Sequence, residues 1–446
     1  MFIDVGRYHY PIGQGIFSAQ IIRANKAEYV CVYDCGSSTY KNEMKANPGK
    51  NKFSMWVNDL RKKTNGVINL LVISHFDEDH FNGVGELLKK FRIKKIVIPY
   101  MDIAEKIIFA LSHPYSFRGI GSQDDWEADS FFAGALAGAL GEDLSILDSL
   151  RGVEIIQSPG FPREPSTEYF DPDFNKSVEG AQSLPVWEFY HFSLFSGVDN
   201  SVKNEYIENF RNEFHKVLNK DVDDISMHDL NNKLNVFKEV YRKTCANVKK
   251  KYSRIGIKDI FNASSVILYS GPEVGFLNSG RGVFNRVSMG RQVVDRYGIT
   301  NACHKEDFHY CSKSDDFEHM GGWLGTGDAR LKDVANILEL RNNLGQSRIE
   351  RIRVITVPHH GSKNNSDYEF YSIFSRPRVE CVVHSDPKRG YRHPHVQTKE
   401  VIARSGFIEI PVTKEDDSFY AEYLSNDYQS FCCFRGGVWC RCDFFR

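Results

Sequence analysis

The segment Ser74–Gly83 (SHFDEDHFNG) directly follows the apolar run Val67–Ile73 and carries two histidines and three acids within six residues. Such crowding stabilises neither a helix nor a strand, because like charges repel and each is costly to desolvate. A His, Asp, Asp, His series at this spacing cannot lie on one face of a regular element, so it predicts a tight loop at a strand end. Converging imidazoles and carboxylates bind divalent metals. The candidate ligands in this loop are His75, Asp77, Asp79 and His80.

Three later strand ends carry the same residue types. Gly325–Asp328 (GTGD) places an acid in a glycine-rich turn, and Pro358–Ser362 (PHHGS) follows an apolar run. Gly390–His395 (GYRHPH) comes after a third predicted strand. Each segment alone has an ordinary interpretation as a turn, a surface loop or a core histidine. Their recurrence where strands stop predicts a shared site, because α/β folds assemble their sites at strand ends.

The first hundred residues alternate between strand and helix patterns, which predicts a layered α/β body. The predicted strands cover 16–22, 29–33, 67–73 and 95–99, and the predicted helices cover 53–63 and 84–91. Strand patterns return at 265–269, 352–357 and 380–384. Between them, amphipathic helical patterns and scattered prolines predominate. We therefore predict a first half of the α/β domain over 1–100, a mainly helical insertion over 101–257 and a second half over 258–446.

Charge and hydropathy argue against a protein drawn to polyanions by its overall charge and against a membrane-spanning protein. The 446 residues carry a formal charge of -1, so no overall field attracts the chain to nucleic acid or to an anionic membrane. No apolar run reaches the roughly 18 residues that span a bilayer, and the start MFIDVGRYHY lacks the order of a signal peptide. We expect a cytoplasmic protein without a membrane partner, whose binding of any polyanion depends on local charge.

The ordered motifs resemble the metallo-β-lactamase superfamily, and most closely the soluble hydrolase domain of ComEC-type competence proteins. The matching segments, in chain order, are Gly13–Gly15 (GQG), Asp34–Gly36 (DCG), the HFDEDH loop, an Asn- and Ser-containing strand at 262–268, Thr326–Asp328 (TGD), His359–Ser362 (HHGS) and His393–His395 (HPH). This resemblance implies an α/β fold, a metallo-β-lactamase-like αββα sandwich, with the helical insertion outside it.

The resemblance also implies a ligand set for one or two divalent ions. His75 and Asp77 would serve a first site, while Asp79, His80 and one histidine of HHGS, taken as His359, would serve a second. Asp328 would bridge the two. The superfamily usually supplies a further histidine where this chain has Asn262 and Ser264, so the first site is rich in oxygen donors. Manganese or zinc is therefore expected, with magnesium as an alternative.

Hydrolysis of an ester is the chemistry that this set implies. Asp79 or Asp328 would accept the proton of the attacking water. The candidates for stabilising the developing charge or protonating the leaving oxygen are His360, His393 and His395. Ser362 either bonds a phosphate oxygen or serves only the turn, and the sequence does not separate these two roles.

Phosphodiesters are the expected substrates, since cations lie near the predicted metals and can hold a backbone phosphate. The cationic candidates are Lys363, Lys388, Arg389 and Arg392. The resemblance implies a DNA nuclease, which fits a cytoplasmic enzyme of bacterial defence against foreign DNA. Two alternatives stay open: hydrolysis of a small nucleotide or another ester, and a catalytically degenerate fold whose insertion binds a partner protein.

Overall fold

The computed structural model describes most of the chain, including every strand end discussed above except part of the last. The described residues are 1–40, 42–43, 51–112, 150, 152–158, 165–172, 185–225, 233–252, 265–277, 285–289, 294–295, 298–299, 310–311, 321–374, 379–387, 393–425, 434–435 and 438–439.

The described residues contain twenty strands. In chain order they are β1 (Ile3–His9), β2 (Phe17–Ala24), β3 (Ala27–Cys35), β4 (Val67–Val72), β5 (Arg92–Ile98), β6 (Glu154–Gln157), β7 (Ser166–Phe170), β8 (Trp187–Ser193), β9 (Val266–Pro272), β10 (Asn285–Met289), β11 (Val294–Asp295), β12 (Gly298–Ile299), β13 (Tyr310–Cys311), β14 (Gly322–Gly325), β15 (Ile352–Thr356), β16 (Glu380–His384), β17 (Ile408–Val412), β18 (Tyr420–Ser425), β19 (Phe434–Arg435) and β20 (Val438–Trp439).

Helices accompany these strands on both sides. In chain order they are α1 (Lys52–Lys63), α2 (Glu78–Phe81), α3 (Val84–Lys90), α4 (Ile103–Ser112), α5 (Val198–Leu218), α6 (Leu234–Lys251), α7 (Val274–Phe276), α8 (Val334–Arg351), α9 (Tyr368–Ser372) and α10 (Val396–Arg404). The sequence explains α1 directly. The Asn51 side chain caps its first turn by accepting from the Ser54 amide, and Phe53, Val57 and Leu60 form its buried face.

Two nine-stranded mixed sheets form the body. The first has the order β13-β10-β18-β1-β2-β3-β4-β5-β6 and the second β12-β11-β17-β16-β15-β14-β9-β8-β7. Strands β3 to β6 run parallel in the first sheet, and β14 to β17 run parallel in the second. Parallel strands end at one edge of their sheet, which is where α/β folds collect functional loops.

Three apolar cores show the layering. One packs α1 to α3 on the first sheet, for example through Phe53 and Leu87. A second fills the space between the sheets, where Trp187 and Trp323 are fully buried. A third packs α8 to α10 on the second sheet, for example through Leu340. Helix, sheet, sheet and helix thus stack in order, and the predicted αββα sandwich is confirmed.

The region 101–257 differs from the prediction of a mainly helical insertion. Helices α4, α5 and α6 do form a core of their own. However, β6 extends the first sheet, while β7 and β8 extend the second. The reason is visible in β8, whose seven residues are all buried and which pairs along its whole length with β9. A strand buried on both faces has no polar alternation, so periodicity did not separate it from buried helix.

The other predicted elements of the body are confirmed to within a few residues. Strands β2, β3, β4, β5, β9, β15 and β16 and helices α1 and α3 lie where the sequence patterns indicated. Among the described residues, no helix is both long enough and apolar enough to cross a membrane.

Candidate metal centre

The HFDEDH loop follows β4 and is anchored by an acid from the neighbouring strand. Asp34, near the end of β3, accepts from the Ser74 amide through Oδ1 at 2.6 Å and from the Ser74 hydroxyl through Oδ2 at 2.7 Å. Asp34 is fully buried and has a φ of 53°. This left-handed conformation is costly for a non-glycine residue. The two contacts from Ser74 and a third from His80 hold Asp34 in this conformation. They also fix the position of Ser74, where the loop begins.

The same carboxylate orients His80. Nδ1 of His80 lies 2.8 Å from Asp34 Oδ2, and since a carboxylate only accepts, Nδ1 carries the proton. His75 is oriented in a similar way, because its Nδ1 lies 2.9 Å from Ser74 Oγ, whose own proton goes to Asp34. Nε2 of both histidines therefore faces away from these partners. A second hydrogen bond that sets the tautomer in this manner is typical of metal-binding histidines.

Asp328 lies between the histidines, in the turn after β14. Its Oδ1 is 3.2 Å from His80 Nε2, and its Oδ2 is 3.5 Å from His75 Nε2. The turn reaches this position because Gly327 has a φ of 50°, and a Cβ there would lie 2.6 Å from the Ser74 Cβ. Glycine is thus required at this point of approach between the two sheets.

The HHGS loop after β15 supplies two histidines in left-handed conformations, with φ of 46° at His359 and 56° at His360. His360 donates from Nδ1 to the backbone oxygen of His384 at 2.9 Å, and its Nε2 lies 3.3 Å from Asp79 Oδ2. His359 Nε2 lies 3.5 Å from Asp328 Oδ2.

Of the two histidines in this loop, the geometry favours His360 over the predicted His359 as the ligand. His360 is 1% exposed and its tautomer is set by a backbone carbonyl, whereas the His359 side chain is 29% exposed. Only His360 joins a group with Asp79 and His80. Because the two residues are adjacent, the sequence pattern alone did not distinguish them.

Two groups of donors could hold a divalent ion. The first is His75, His80 and Asp328, and the second is Asp79, His80 and His360; within each group the donor atoms lie within 4.8 Å of one another. In both groups the Nε2 atoms of the histidines are buried and have no hydrogen-bond partner among the described residues, as does Asp328 Oδ1. Buried polar atoms without partners are costly. Mixed imidazole and carboxylate donors suit a divalent cation, so these residues fit a metal.

The electrostatics of the site reflect the same arrangement. Burial and the neighbouring His80 lower the pKa of His75 to about 3. Burial also disfavours the charge on His80, but Asp328 and Asp34 outweigh it and raise the pKa of His80 well above its usual range. Burial disfavours ionised Asp328 as well, yet the surrounding histidines hold its pKa well below the ordinary value. Without metal, protonated His80 thus partly neutralises the acids.

Other predicted ligands lie outside the two groups. Asp77 is half-buried and precedes α2 without capping it through its side chain, and neither donor group includes it. Asn262 and Ser264 lie outside the described residues. Within the described residues, the third donor of the first group is Asp328.

Of the predicted catalytic and substrate-binding residues, the structure describes His393 and His395 beside the HHGS loop, and Ser362 and Lys363 at its end. The ring of His393 is 6.0 Å from that of His359, and its buried Nδ1 has no hydrogen-bond partner among the described residues. His395 accepts from the Gln397 amide through Nδ1 and so caps α10. The Ser362 hydroxyl accepts from the Asn364 amide at 3.3 Å, which is turn chemistry, and Lys363 is exposed. The predicted cations outside the described residues are Lys388, Arg389 and Arg392.

Two residues that sequence reasoning did not assign take part in the arrangement. Asp34 appeared only as part of a motif, although its place at a strand end was a usable signal. His384 ends β16 and supplies the carbonyl that orients His360. A backbone contact of this kind has no sequence signature.

Two comparisons with known proteins found similarities. The family model described as "Metallo-beta-lactamase superfamily" matches residues 19–107, which include the HFDEDH loop. A crystal structure of unliganded yeast PDE1 superposes with a TM-score of 0.39 at 8% identity, over 94% of this chain and 99% of that chain. No curated protein matches the sequence. With the two facing sheets and their outer helices, the chain has the metallo-β-lactamase fold.

Proposed function

We propose that this chain is a metal-dependent hydrolase that cleaves phosphodiester bonds, with DNA as its substrate. The observation that carries the proposal is the pair of adjacent donor groups that share His80. Both groups draw on both sheets, and within the described part of the chain their histidine Nε2 atoms and Asp328 Oδ1 have no hydrogen-bond partner. This arrangement is expected of a hydrolytic metal centre and is costly for a protein that does not use it.

Each residue of the centre has a definable task. His80 offers only its Nε2 lone pair and so binds one ion, which His75 and Asp328 or Asp79 and His360 would help to hold. Bound divalent metal, with manganese or zinc as the candidates, would activate water and neutralise phosphate charge. Although burial opposes it, the adjacent His360 ring and the charge of His80 hold the pKa of Asp79 below its usual range, so this carboxylate is ionised at neutral pH.

His393 is suited to bind the substrate. Burial and the nearby His360 lower its pKa to about 4, so its imidazole is neutral at pH 7 and can donate one hydrogen bond to a phosphate oxygen. The same neutrality argues against His393 as the proton donor to the leaving group. His395 already uses Nδ1 to cap α10, which leaves Nε2 for the substrate.

The preference for phosphodiesters is supported by the cations that accompany the HHGS and HPH motifs in the sequence. Lys363 is exposed beside it, and Lys388, Arg389 and Arg392 precede the HPH segment in the sequence. Local cations of this kind hold a nucleic-acid backbone even on a protein of formal charge -1. DNA is favoured over other phosphodiesters by the ComEC-type motif order. A cytoplasmic role in defence against foreign DNA stays a prediction.

The decisive experiment uses metal-free full-length protein, incubated with single-stranded DNA, duplex DNA, RNA and dinucleotides while manganese, magnesium or zinc is added in turn. We expect metal-dependent cleavage of DNA, reduced by about 100-fold or more in Asp79→Ala. Glu78→Ala is the matched control, since this neighbouring acid is exposed and belongs to neither donor group, and it should cleave normally. Binding without cleavage under every metal, or activity only towards thioesters or lactams, would contradict the proposal.

A further inference from the structure

The donor residues come from opposite sheets, so the separation of the sheets at this edge controls the distances between them. His75, Asp79 and His80 follow β4 of the first sheet, whereas Asp328 and His360 follow β14 and β15 of the second. The contacts across the gap are short: 3.2 Å from His80 Nε2 to Asp328 Oδ1, and 3.3 Å from His360 Nε2 to Asp79 Oδ2. A small change in sheet separation would change both donor groups.

A second set of polar side chains crosses the same gap beside the centre. His9 of β1 and Ser18 of β2 are partners in the first sheet, and both meet His384, the last residue of β16 in the second. Ser18 Oγ lies 2.9 Å from His9 Nδ1 and 3.4 Å from His384 Nε2, and the two ring nitrogens are 3.2 Å apart. None of the three residues is more than 1% exposed.

This contact is connected to the donors through one hydrogen bond. The backbone oxygen of His384 accepts from Nδ1 of His360, which leaves Nε2 of His360 bare and directed at Asp79. The position of His384 therefore sets the position and tautomer of His360. Partners that orient a metal ligand in this way commonly control metal affinity.

The three polar groups are not themselves a metal site. They include no acid, and burial together with the charge of Arg7 lowers the pKa of His9, which keeps it neutral. A divalent ion held by two neutral imidazoles and a hydroxyl would leave its full charge buried without compensation. Hydrogen bonding across the sheets is the arrangement that the chemistry supports.

We propose that His9 and Ser18 are positioning residues of the metal centre, and that their contact with His384 holds the end of β16 where His360 can bind metal. The proposal rests on the proposed function only for the role of His360 as a ligand. It predicts that removing the cross-sheet contact weakens metal binding more than an equivalent loss elsewhere between the sheets.

Ser18→Ala in the full-length protein tests this, with Ser270→Ala as the matched control. Ser270 Oγ donates to Gln20 Oε1 at 2.6 Å across the same two sheets and accepts from Trp187 Nε1, and neither of these partners belongs to a donor group. Cobalt binding is followed by visible absorption, and the stability of the metal-free proteins by denaturant unfolding. We expect cobalt dissociation constants about tenfold higher for Ser18→Ala with an altered spectrum, and within about twofold of the original for Ser270→Ala.

A second pair of variants decides the matter if Ser18→Ala does not fold. His384→Gln places an amide nitrogen where Nε2 lies, and should bind cobalt within about twofold of the original protein, whereas His384→Leu should bind about tenfold more weakly. If Ser18→Ala or His384→Leu binds cobalt with the original affinity and spectrum, this proposal is overturned but the metal-dependent function is not. If the unaltered protein binds no cobalt, both this proposal and the metal-dependent function fail.

Discussion

At the scale of single residues, the centre depends on acids that bind no metal as much as on those that would. Asp34 accepts from Ser74 and from His80, so one carboxylate places both the start and the end of the HFDEDH loop. The sequence predicted His80 as a ligand from its spacing. It did not predict which ring nitrogen is available, because that depends on an acid 46 residues earlier.

Asp34→Asn should weaken manganese or cobalt binding by about 10- to 100-fold, since the amide is a poorer acceptor for the Nδ1 proton of His80. Titration of the metal-free protein with manganese or cobalt measures the dissociation constant. Asp59→Asn is a suitable control, because Asp59 pairs with Lys63 on α1 and is absent from both donor groups. Unchanged affinity in Asp34→Asn would show that Asp34 serves the fold alone.

Metal affinity should rise with pH. Asp328 and Asp34 raise the pKa of His80, so its proton must leave before Nε2 can bind an ion. Calorimetry in two buffers of different ionisation enthalpy should detect the released proton. Metal affinity that stays constant as pH rises from about 6.5 through the raised pKa of His80 would contradict the assignment of His80 as a ligand.

The stability of the metal-free protein should depend on pH as well. The pairing of His80 with Asp34 and Asp328 stabilises the fold fully below a pH of about 6.5, the pKa of an unfolded histidine. This contribution is lost as pH rises through the raised pKa.

At the scale of loops and strands, close backbone approach decides whether the donors meet. The amide of Ile16 donates to the Asp79 oxygen at 3.1 Å, so the GQG loop supports the HFDEDH segment from behind. Gly15 has a φ of 141°, and a Cβ there would lie 2.7 Å from that same oxygen. The sequence indicated a turn at Gly13–Gly15, but the packing of this turn on a distant loop follows only from the strand order.

Gly15→Ala should therefore lower the free energy of unfolding by about 3 kcal/mol, because the new methyl group overlaps backbone that cannot move away. Gly152→Ala separates overlap from backbone strain, since Gly152 also has positive φ, at 78°, but a Cβ there would meet nothing within 4 Å. That control should lose only about 1 kcal/mol. Denaturant unfolding of both variants measures the difference, and equal losses would contradict the packing argument.

At the scale of the whole molecule, strand and helix patterns predicted a layered α/β body, and the resemblance to the metallo-β-lactamase superfamily implied its αββα form. The described strand ends do converge. It missed β6, β7 and β8, since short edge strands and a strand buried on both faces lack the alternation on which such predictions rely. The sequence pattern also did not distinguish His360 from His359 as the ligand. The two residues differ in a hydrogen bond from His360 to the backbone oxygen of His384, a contact that the sequence does not show.

Because the donors are dispersed along the chain, metal should stabilise the folded state as a whole. An ion that binds only the native protein adds about 2.7 kcal/mol at a free concentration 100 times its dissociation constant. We expect manganese to raise the melting temperature of the original protein, and to raise that of Asp328→Asn far less, since Asp328 faces His75 and His80 across the sheets. Equal shifts in both proteins would indicate binding elsewhere.

The central claim is that loops from both sheets hold divalent metal at one point. Anomalous diffraction from crystals of the manganese-loaded protein tests it most directly. Our account predicts a peak within bonding distance of Asp328 and His80, together with His75 or with Asp79 and His360. Manganese peaks that lie only at other residues would contradict it.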